Sequence, residues 1–380
     1  MTTHLAEKKL DPIVFLARKL DLGGAERQLV VLAKELQKMG HKVCSILFYN
    51  GGEFDQEMIR NGIPVYYLNK THRWDIIGFL WKLMRRLRQL RPGTVYSLLD
   101  VPNVMAVLLK PVVGKPRIVW SIRAAFMEMS YYDWLMRLIP AIENYLSHKA
   151  DCIVANSYAG REWAIRRGFP SGKILVIENG IDTQYFRPNP VAGEQVRKEW
   201  GIRPEEFLIG MVGRLDPMKD HSTFLRACAL VLQEVNNIRI VCVGGGSEAD
   251  LKKLKSLAHT LNIESRLLWA GPRKDMPAVY SSLNLLVSSS SFGEGFPNVV
   301  AEAMGCGVPC VVTDVGDSGR IVGGLGEVVP PKSPEALAEG IIRMLERIKK
   351  EPWIKNSVRR RIQENFSVER MVESFEKALD

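Results

Sequence analysis

Two carboxylates eight positions apart, Glu294 and Glu302, bracket the segment Ser291-Phe-Gly-Glu-Gly-Phe-Pro-Asn-Val-Val-Ala-Glu302. An apolar run over 283–287 precedes it as a buried strand would, and Val299-Val-Ala-Glu-Ala-Met304 follows as a helix would. Gly293 and Gly295 free the turn between them, and Pro297 suits a first helical turn, where its missing N–H is no loss. A glycine-rich turn that feeds a helix N-terminus offers N–H donors and a positive dipole end to an anion, typically phosphate. Carboxylates repel phosphate, so Glu294 and Glu302 suit neutral donors such as sugar hydroxyls. The segment therefore fits a ligand that carries both phosphate and sugar.

Other residues with chemistry lie upstream, each directly after an apolar run. Gly213-Arg-Leu-Asp-Pro-Met-Lys219 offers a planar fork, Arg214, and a point charge, Lys219, which together could hold a diphosphate. Taken alone, two solvated surface cations are the commoner fate of such a pair. Gly23-Gly24 fits close backbone approach to a phosphate or sugar, and equally a plain tight turn. Val243-Gly-Gly-Gly-Ser-Glu248 lets the chain turn at Gly244 beside a bound base, although no Gly-x-Gly-x-x-Gly occurs. The chain has neither a Walker-type phosphate loop nor an Asp-x-Asp triplet. The reading is therefore of no metal and no cofactor, with cations and a helix dipole standing in for Mg²⁺. Cys306 and Cys310 have no second Cys/His cluster near them, and the six histidines are scattered, so neither set reads as a metal site.

These residues need rigid elements behind them. Ile13-Val-Phe-Leu-Ala17 is a short continuous apolar run, the signature of a strand buried on both faces. Further strands are expected at 42–48, 94–98, 117–122, 152–155 and 173–177, alternating with a helix opened by Leu22-Gly-Gly-Ala-Glu26 and ended by Gly40, and with helices around 75–90 and at 102–110, 131–149 and 157–167. After Asn179-Gly-Ile-Asp182 the rhythm breaks, and Pro188, Pro190 and Gly193 read as a linker. A second series follows, with strands at 207–212, 238–243, 266–269, 283–288 and 308–312. Alternating strands and helices predict parallel α/β sheets. The expected organisation is an N-terminal domain over 1–182, a linker over 183–200, a C-terminal domain over 201–350, and terminal helices over 351–380 that pack back on the N-terminal domain. Ligands on such sheets bind outside the carboxyl ends of the strands, and the space between two facing sheets is the expected site.

Composition permits this. A chain of 380 residues with 46% hydrophobic and 25% charged residues is an ordinary globular protein of about two domains. The net charge of +10 suits nucleic acid, an anionic membrane surface or an anionic ligand, and does not choose among them. The six cysteines sit in apolar runs, as buried small hydrophobes in a reducing compartment do. The N-terminus has no apolar signal core, and the apolar stretch 95–113 is interrupted by Asp100, Pro102, Lys110 and Pro111, so a cytoplasmic protein is expected.

In combination, Gly23-Gly24-Ala-Glu26, Asn179-Gly-Ile-Asp182, Gly213-Arg-Leu with Lys219, Val243-Gly-Gly-Gly, and Glu294-Gly-Phe-Pro-Asn298 with Glu302 resemble, in order and spacing, the retaining glycosyltransferase family 4. The resemblance spans nearly the whole chain. It implies the GT-B fold, two Rossmann-like domains with parallel sheets facing a central cleft. The implied reaction is transfer of a sugar, with retention, from a nucleotide-diphosphate sugar (UDP- or GDP-linked) to an acceptor hydroxyl, in polysaccharide or glycolipid synthesis. Arg214 and Lys219 match the pair that neutralises the diphosphate leaving group. Glu294 matches the carboxylate on the transferred sugar, and Glu302 the one on the ribose. Phe296, Pro297 and Asn298 match the backbone that lines sugar and phosphates, Gly23 and Gly24 the turn over the diphosphate, and Arg273 a contact to the base. Many members carry a His after the strand equivalent to 117–122. Here Arg123 stands in that loop, with the donor sugar or the acceptor as its implied partner. Other readings of the same motifs are a catalytically silent nucleotide-sugar-binding protein and a GT-B epimerase or phosphorylase. Expected partners are the donor and a sugar or lipid-linked acceptor, with no nucleic acid. A peripheral contact at the inner membrane face is a further expectation, from aromatics over Phe126 to Leu138 and from Arg85, Arg86, Arg88 and Arg91. One core helix and one solvated helix would explain the same residues.

Overall fold

The apolar runs become strands. In the computed structural model, which describes residues 11–21, 23–72, 75–123, 125–126 and 134–379 (134–140 in backbone alone), two compact units form. Unit 1 comprises residues 1–180 with 368–380, and unit 2 comprises residues 181–367.

Unit 1 runs β1 (Ile13–Ala17), α1 (Gly24–Lys38), β2 (Val43–Leu47), α2 (Asp55–Arg60), β3 (Val65–Tyr67), α3 (Ile77–Leu90), β4 (Thr94–Leu98), α4 (Asp100–Leu109), β5 (Arg117–Ile122), α5 (Trp134–Ser147), β6 (Cys152–Ala155), α6 (Tyr158–Arg166) and β7 (Ile174–Val176). Its sheet is parallel, in the order β3-β2-β1-β4-β5-β6-β7. Every residue of β1, β2 and β4 is buried, because helices cover both faces. Alternate residues of β1 serve opposite cores. Ile13, Phe15 and Ala17 pack with Leu29, Leu36 and Tyr96, while Val14 and Leu16 pack with Phe79, Leu83 and Trp120.

Unit 2 runs α7 (Pro190–Glu199), β8 (Phe207–Val212), α8 (His221–Glu234), β9 (Ile238–Val243), α9 (Glu248–Thr260), β10 (Leu267–Gly271), α10 (Met276–Ser282), β11 (Leu285–Ser288), α11 (Asn298–Gly305), β12 (Cys310–Thr313), α12 (Ser318–Val322), β13 (Glu327–Val329), α13 (Pro334–Lys350) and α14 (Ile354–Asn365). Its parallel sheet has the order β10-β9-β8-β11-β12-β13. Both orders reverse direction between the first and fourth strands of the unit, β1 and β4 in one, β8 and β11 in the other. That switch point is where doubly wound sheets open a crevice at their carboxyl ends.

The chain divides differently from the sequence expectation. Residues 183–200, read as a linker, hold α7, which packs on α10 inside unit 2. Of the terminal helices, α14 packs on α11 in unit 2, and α15 (Val368–Leu379) joins unit 1 against α1. The pattern of α15 explains its docking: Val368, Met371, Val372 and Phe375 form one buried stripe, and the Phe375 ring meets Tyr96 edge-on at 5.2 Å. All six cysteines are buried and free. Burial pushes the Cys306 thiol up to about 12 and raises that of Cys310 further, which suits packing rather than metal binding or redox chemistry. Among the described residues, no helix is long and apolar enough to cross a membrane.

Candidate functional site

The site grows from the carboxyl ends of β8 and β11, the two strands that flank the switch point of unit 2. After β8 the backbone leans on its neighbours. Gly213 N–H donates to Val243 O at 2.9 Å, Leu215 N–H to Gly245 O at 2.8 Å, and Gly244 N–H to Gly271 O at 2.9 Å. Gly244 has φ +146, and a Cβ there would lie 1.9 Å from Gly213 O, so no side chain fits. A 3₁₀ turn, Pro217–Lys219, is then capped by Asp216, whose side chain accepts from Met218 N–H at 2.9 Å. Asp220 follows at φ +50 and caps α8 by accepting from Thr223 N–H at 3.1 Å. This turn lays the Lys219 stem against Gly213.

The loop after β11 is bonded to that turn. Ser291 N–H donates to Met218 O at 2.9 Å, and Ser289 Oγ lies 3.0 Å from Lys219 O. Thr313 at the end of β12 donates to Ser290 O at 2.6 Å. Gly316 presses on the motif backbone from below: at φ +62, a Cβ would sit 2.6 Å from both Glu294 O and Gly295 O. Asp317 N–H donates to Gly295 O at 2.9 Å. The result is a preorganised loop whose residues 293–297 are buried.

Within it, Lys219 Nζ lies 2.5 Å from Glu294 Oε1, with side chains only 15% and 8% exposed. Ser290 Oγ donates to the same oxygen at 2.7 Å. Glu302, on α11, is 4% exposed and accepts from Tyr280 Oη at 2.8 Å. The helix α11 starts at Asn298, with Pro297 at the N-cap, whose side chain makes no capping hydrogen bond. Phe296 turns into the core, edge-on to Phe366 at 5.5 Å, so only its backbone faces the loop. Lys219, Glu294, Phe296, Pro297, Asn298 and Glu302 thus belong to one loop-and-helix assembly in unit 2. Arg214 sits on the same β8 loop with its side chain exposed. Chemically the assembly offers a buried ammonium, helix N–H donors and two buried carboxylates, which matches a ligand with anionic and hydroxyl-bearing parts.

The remaining sequence candidates stand apart. Arg273 follows β10, and its guanidinium is taken by Asp275 (2.9 and 2.8 Å) and Glu199 (2.5 and 3.1 Å). The Asp275 bond first, then that to Glu199, raise its pKa above the ordinary arginine value. Its side chain ties the end of α7 to the start of α10. In unit 1, Arg123 donates to Ser121 Oγ at 2.7 Å, Asn179 Oδ1 at 2.8 Å and Tyr96 Oη at 2.5 Å. Its fork is thereby fixed by three elements of its own unit. Gly23 precedes α1 with φ −122, an ordinary conformation, and a Cβ there would meet only the flexible Glu26 carboxylate. Neither backbone angle nor backbone crowding demands glycine at 23.

Three contributors went unseen in the sequence: Ser290, Tyr280 and Gly316. Ser290 acts within one loop, four residues from Glu294, while the partners of Tyr280 and Gly316 lie more than 20 residues away in other elements, and only the run Ser288-Ser-Ser-Ser291 hinted at a hydrogen-bonded loop. Among the described residues, no group of three or more His, Cys, Asp or Glu side chains is placed to hold a metal ion.

Comparison with known proteins shows the family of the chain. The sequence matches Glycosyltransferase Family 4 over residues 22–185 and Glycosyl transferases group 1 over residues 193–361. D-inositol 3-phosphate glycosyltransferase of Mycobacterium marinum is 34% identical over 181 residues, 46% of this chain but only 37% of that protein's length. The putative glycosyltransferase EpsF of Bacillus subtilis is 22% identical over 298 residues, 78% of this chain and 77% of EpsF. Among solved structures, that of Anabaena HepE in complex with UDP-glucose superposes with a TM-score of 0.86 at 22% identity, covering 97% of this chain and 99% of HepE. With one family description over each half of the chain and a GT-B neighbour along its length, the protein belongs to the group 1, family 4 glycosyltransferases of GT-B fold.

Proposed function

We propose that this protein is a retaining glycosyltransferase that moves a sugar from a nucleotide-diphosphate donor, UDP- or GDP-linked, to an acceptor hydroxyl without a metal ion. The observation that carries the reading is the largely buried Lys219–Glu294 pair, held on the loop that leads into α11. Lys219, with Arg214 on the same loop, stabilises charge on the departing diphosphate together with the N–H groups after Pro297. Glu294 takes hydroxyls of the transferred sugar, and Glu302 those of the ribose. The Phe296–Asn298 backbone lines the phosphates, and Gly244 and the backbone at Arg273 border the base. In unit 1, Gly23-Gly24 is the point of close ligand approach, supported by the absence of any conformational need for glycine at 23. Arg123, held by Tyr96, Ser121 and Asn179, presents its remaining N–H edge to donor sugar or acceptor. No enzymic nucleophile is required if the leaving phosphate assists deprotonation of the acceptor on the same face. The catalytic demand is then leaving-group stabilisation.

A lipid-linked acceptor in polysaccharide or glycolipid synthesis, met at the inner membrane face, is part of this reading. It is supported by α3, which carries Lys82, Arg85, Arg86 and Arg88 and no acidic residue, and leaves Ile77 86% and Trp81 53% exposed. Arg85 lies over the Trp81 ring at 5.3 Å, a pairing suited to anionic headgroups. Most of the aromatic stretch Phe126 to Leu138 lies outside the described residues. The reading is tested by incubating the protein with UDP- and GDP-sugars, in chelator, with candidate acceptors. Acceptor-dependent release of nucleoside diphosphate and a product of unchanged anomeric configuration are expected. An inverted product, or donor binding with no turnover on any acceptor, would contradict it. Low-salt sedimentation with anionic vesicles tests the membrane contact, which a protein left wholly in the supernatant would rule out.

A further inference from the structure

A carboxylate in a core must be held, and the group that holds Glu302 comes from another helix. Tyr280, on α10, is 0% exposed, and its hydroxyl is 2.8 Å from Glu302 Oε2. A buried tyrosine needs a partner for its O–H, and here that partner is a charged-type acceptor rather than a backbone carbonyl. The platform under Tyr280 is rigid. Its ring packs on Phe186 with centroids 6.1 Å apart. The end of α10 is fastened by Asn189 N–H to Ser281 Oγ at 3.0 Å and by Arg197 to Ser282 O at 3.0 Å. That hydrogen bond to Glu302 Oε2, donated from a ring packed in the core, restricts the rotamer of Glu302.

We propose that Tyr280 is a positioning residue for ribose recognition: it orients the Glu302 carboxylate so that a nucleotide's vicinal hydroxyls find a ready-made acceptor. This rests on the assignment of Glu302 to the ribose. Tyr280 does not touch the ligand, so its effect must be confined to the part of the ligand that Glu302 reads. A residue that merely stabilised α10 and α11 would affect every nucleotide alike.

The experiment is calorimetric titration of UDP and GDP, and of the 2′-deoxy and 3′-deoxy forms of whichever binds, into wild type, Tyr280→Phe, Glu302→Gln and the double variant. Phenylalanine keeps the ring and its packing on Phe186. Wild type should prefer the ribonucleotide over a deoxy form, and Glu302→Gln should weaken that preference. Tyr280→Phe should lower ribonucleotide affinity about tenfold, the scale of one hydrogen bond to a charged group, and move the deoxy form less than about twofold. In the Glu302→Gln background the same change should have little further effect. Equal weakening of both ligands, an unchanged ribonucleotide affinity, or a full Tyr280→Phe effect on top of Glu302→Gln would each overturn the role of Tyr280. If Tyr280→Phe alone folds poorly, the comparison of Glu302→Gln with the double variant, which no longer buries a charge, still decides it. If wild type binds neither nucleotide, or shows no ribose preference, or Glu302→Gln retains the whole preference, the ribose assignment of Glu302 fails first, and this proposal with it.

Discussion

Replacing Lys219 by alanine separates two roles that share one ammonium group. In the fold, Lys219 neutralises Glu294, whose side chain is only 8% exposed. Without it the carboxylate is left as an orphaned buried partner, a loss of roughly 3–5 kcal/mol. Ser290 Oγ, 2.7 Å from the same oxygen, remains as a donor. The expected destabilisation is therefore at the low end, about 3 kcal/mol. In the reaction, the missing ammonium no longer meets the departing diphosphate, and turnover should fall by about 100-fold or more, the scale of one preorganised donor. Glu294→Gln in the same chain tells the two apart. The double variant has no buried charge to orphan and should regain most of the stability in a urea titration, yet its turnover should stay as low as that of Lys219→Ala or lower. Near-wild-type turnover in Lys219→Ala would make Lys219 a structural counter-charge only. Recovery of turnover together with stability in the double variant would refute the leaving-group role equally.

The other predictions concern glycines and a histidine. Gly244→Ala should destabilise unit 2 by at least about 2 kcal/mol, through a positive φ and a clash with the Gly213 carbonyl, read as a lowered denaturation midpoint. Gly23→Ala should shift stability by less than about 1 kcal/mol, since only Glu26 need move, and should weaken nucleotide-sugar binding in a titration. Unchanged binding would return Gly23 to a plain turn. His221 is buried, and burial first, then the Lys219 charge, against an opposing pull from Asp216, lower its pKa from 6.5 to about 4. Because this folded pKa is depressed, the unfolded chain binds the extra proton between about pH 6.5 and 4. Stability should be full above that window and fall through it with decreasing pH, by about 3 kcal/mol in total. His221→Asn should flatten that slope by one proton, and an unaltered slope would contradict the assignment.

How far the sequence carried depended on whether partners were neighbours along the chain. Central strands such as Thr94–Leu98, Arg117–Ile122, Phe207–Val212 and Ile238–Val243 were legible to the residue, because a strand covered on both faces is predominantly apolar instead of alternating. The edge strands Val65–Tyr67 and Glu327–Val329 were not, since three residues of partial or mixed burial leave no run to read. Helix α7 was hidden by the residues that build it. Asn189 is its N-cap, accepting from Ala192 N–H at 3.1 Å, Pro190 is its first residue, and Gly193 is needed where a Cβ would lie 2.5 Å from Ser281 O of α10. Read along the chain, those three residues look like a linker; packed, they are a cap, a helix start and a close approach. Strand order was invisible, and with it the fact that the Lys219 and Glu294 loops flank one switch point. At the site, Glu294, Glu302, Arg214 and Lys219 were legible because loop glycines mark strand ends. The Lys219–Glu294 pair, 75 residues apart in sequence, and the Tyr280 bond required the fold. Arg273 shows the reverse: a cation after a strand looked available, whereas Glu199 and Asp275 already occupy its fork.

The most direct test of the account is calorimetric titration of UDP- and GDP-sugars, in the presence of chelator, into the wild-type chain and into Lys219→Ala and Glu302→Ala. The account predicts saturable binding of one of them without metal. It further predicts weaker binding of that donor to both variants, and of the free nucleoside diphosphate to Glu302→Ala, where the ribose hydroxyls lose their acceptor. Binding that needs a divalent cation, or an affinity indifferent to both substitutions, would contradict it.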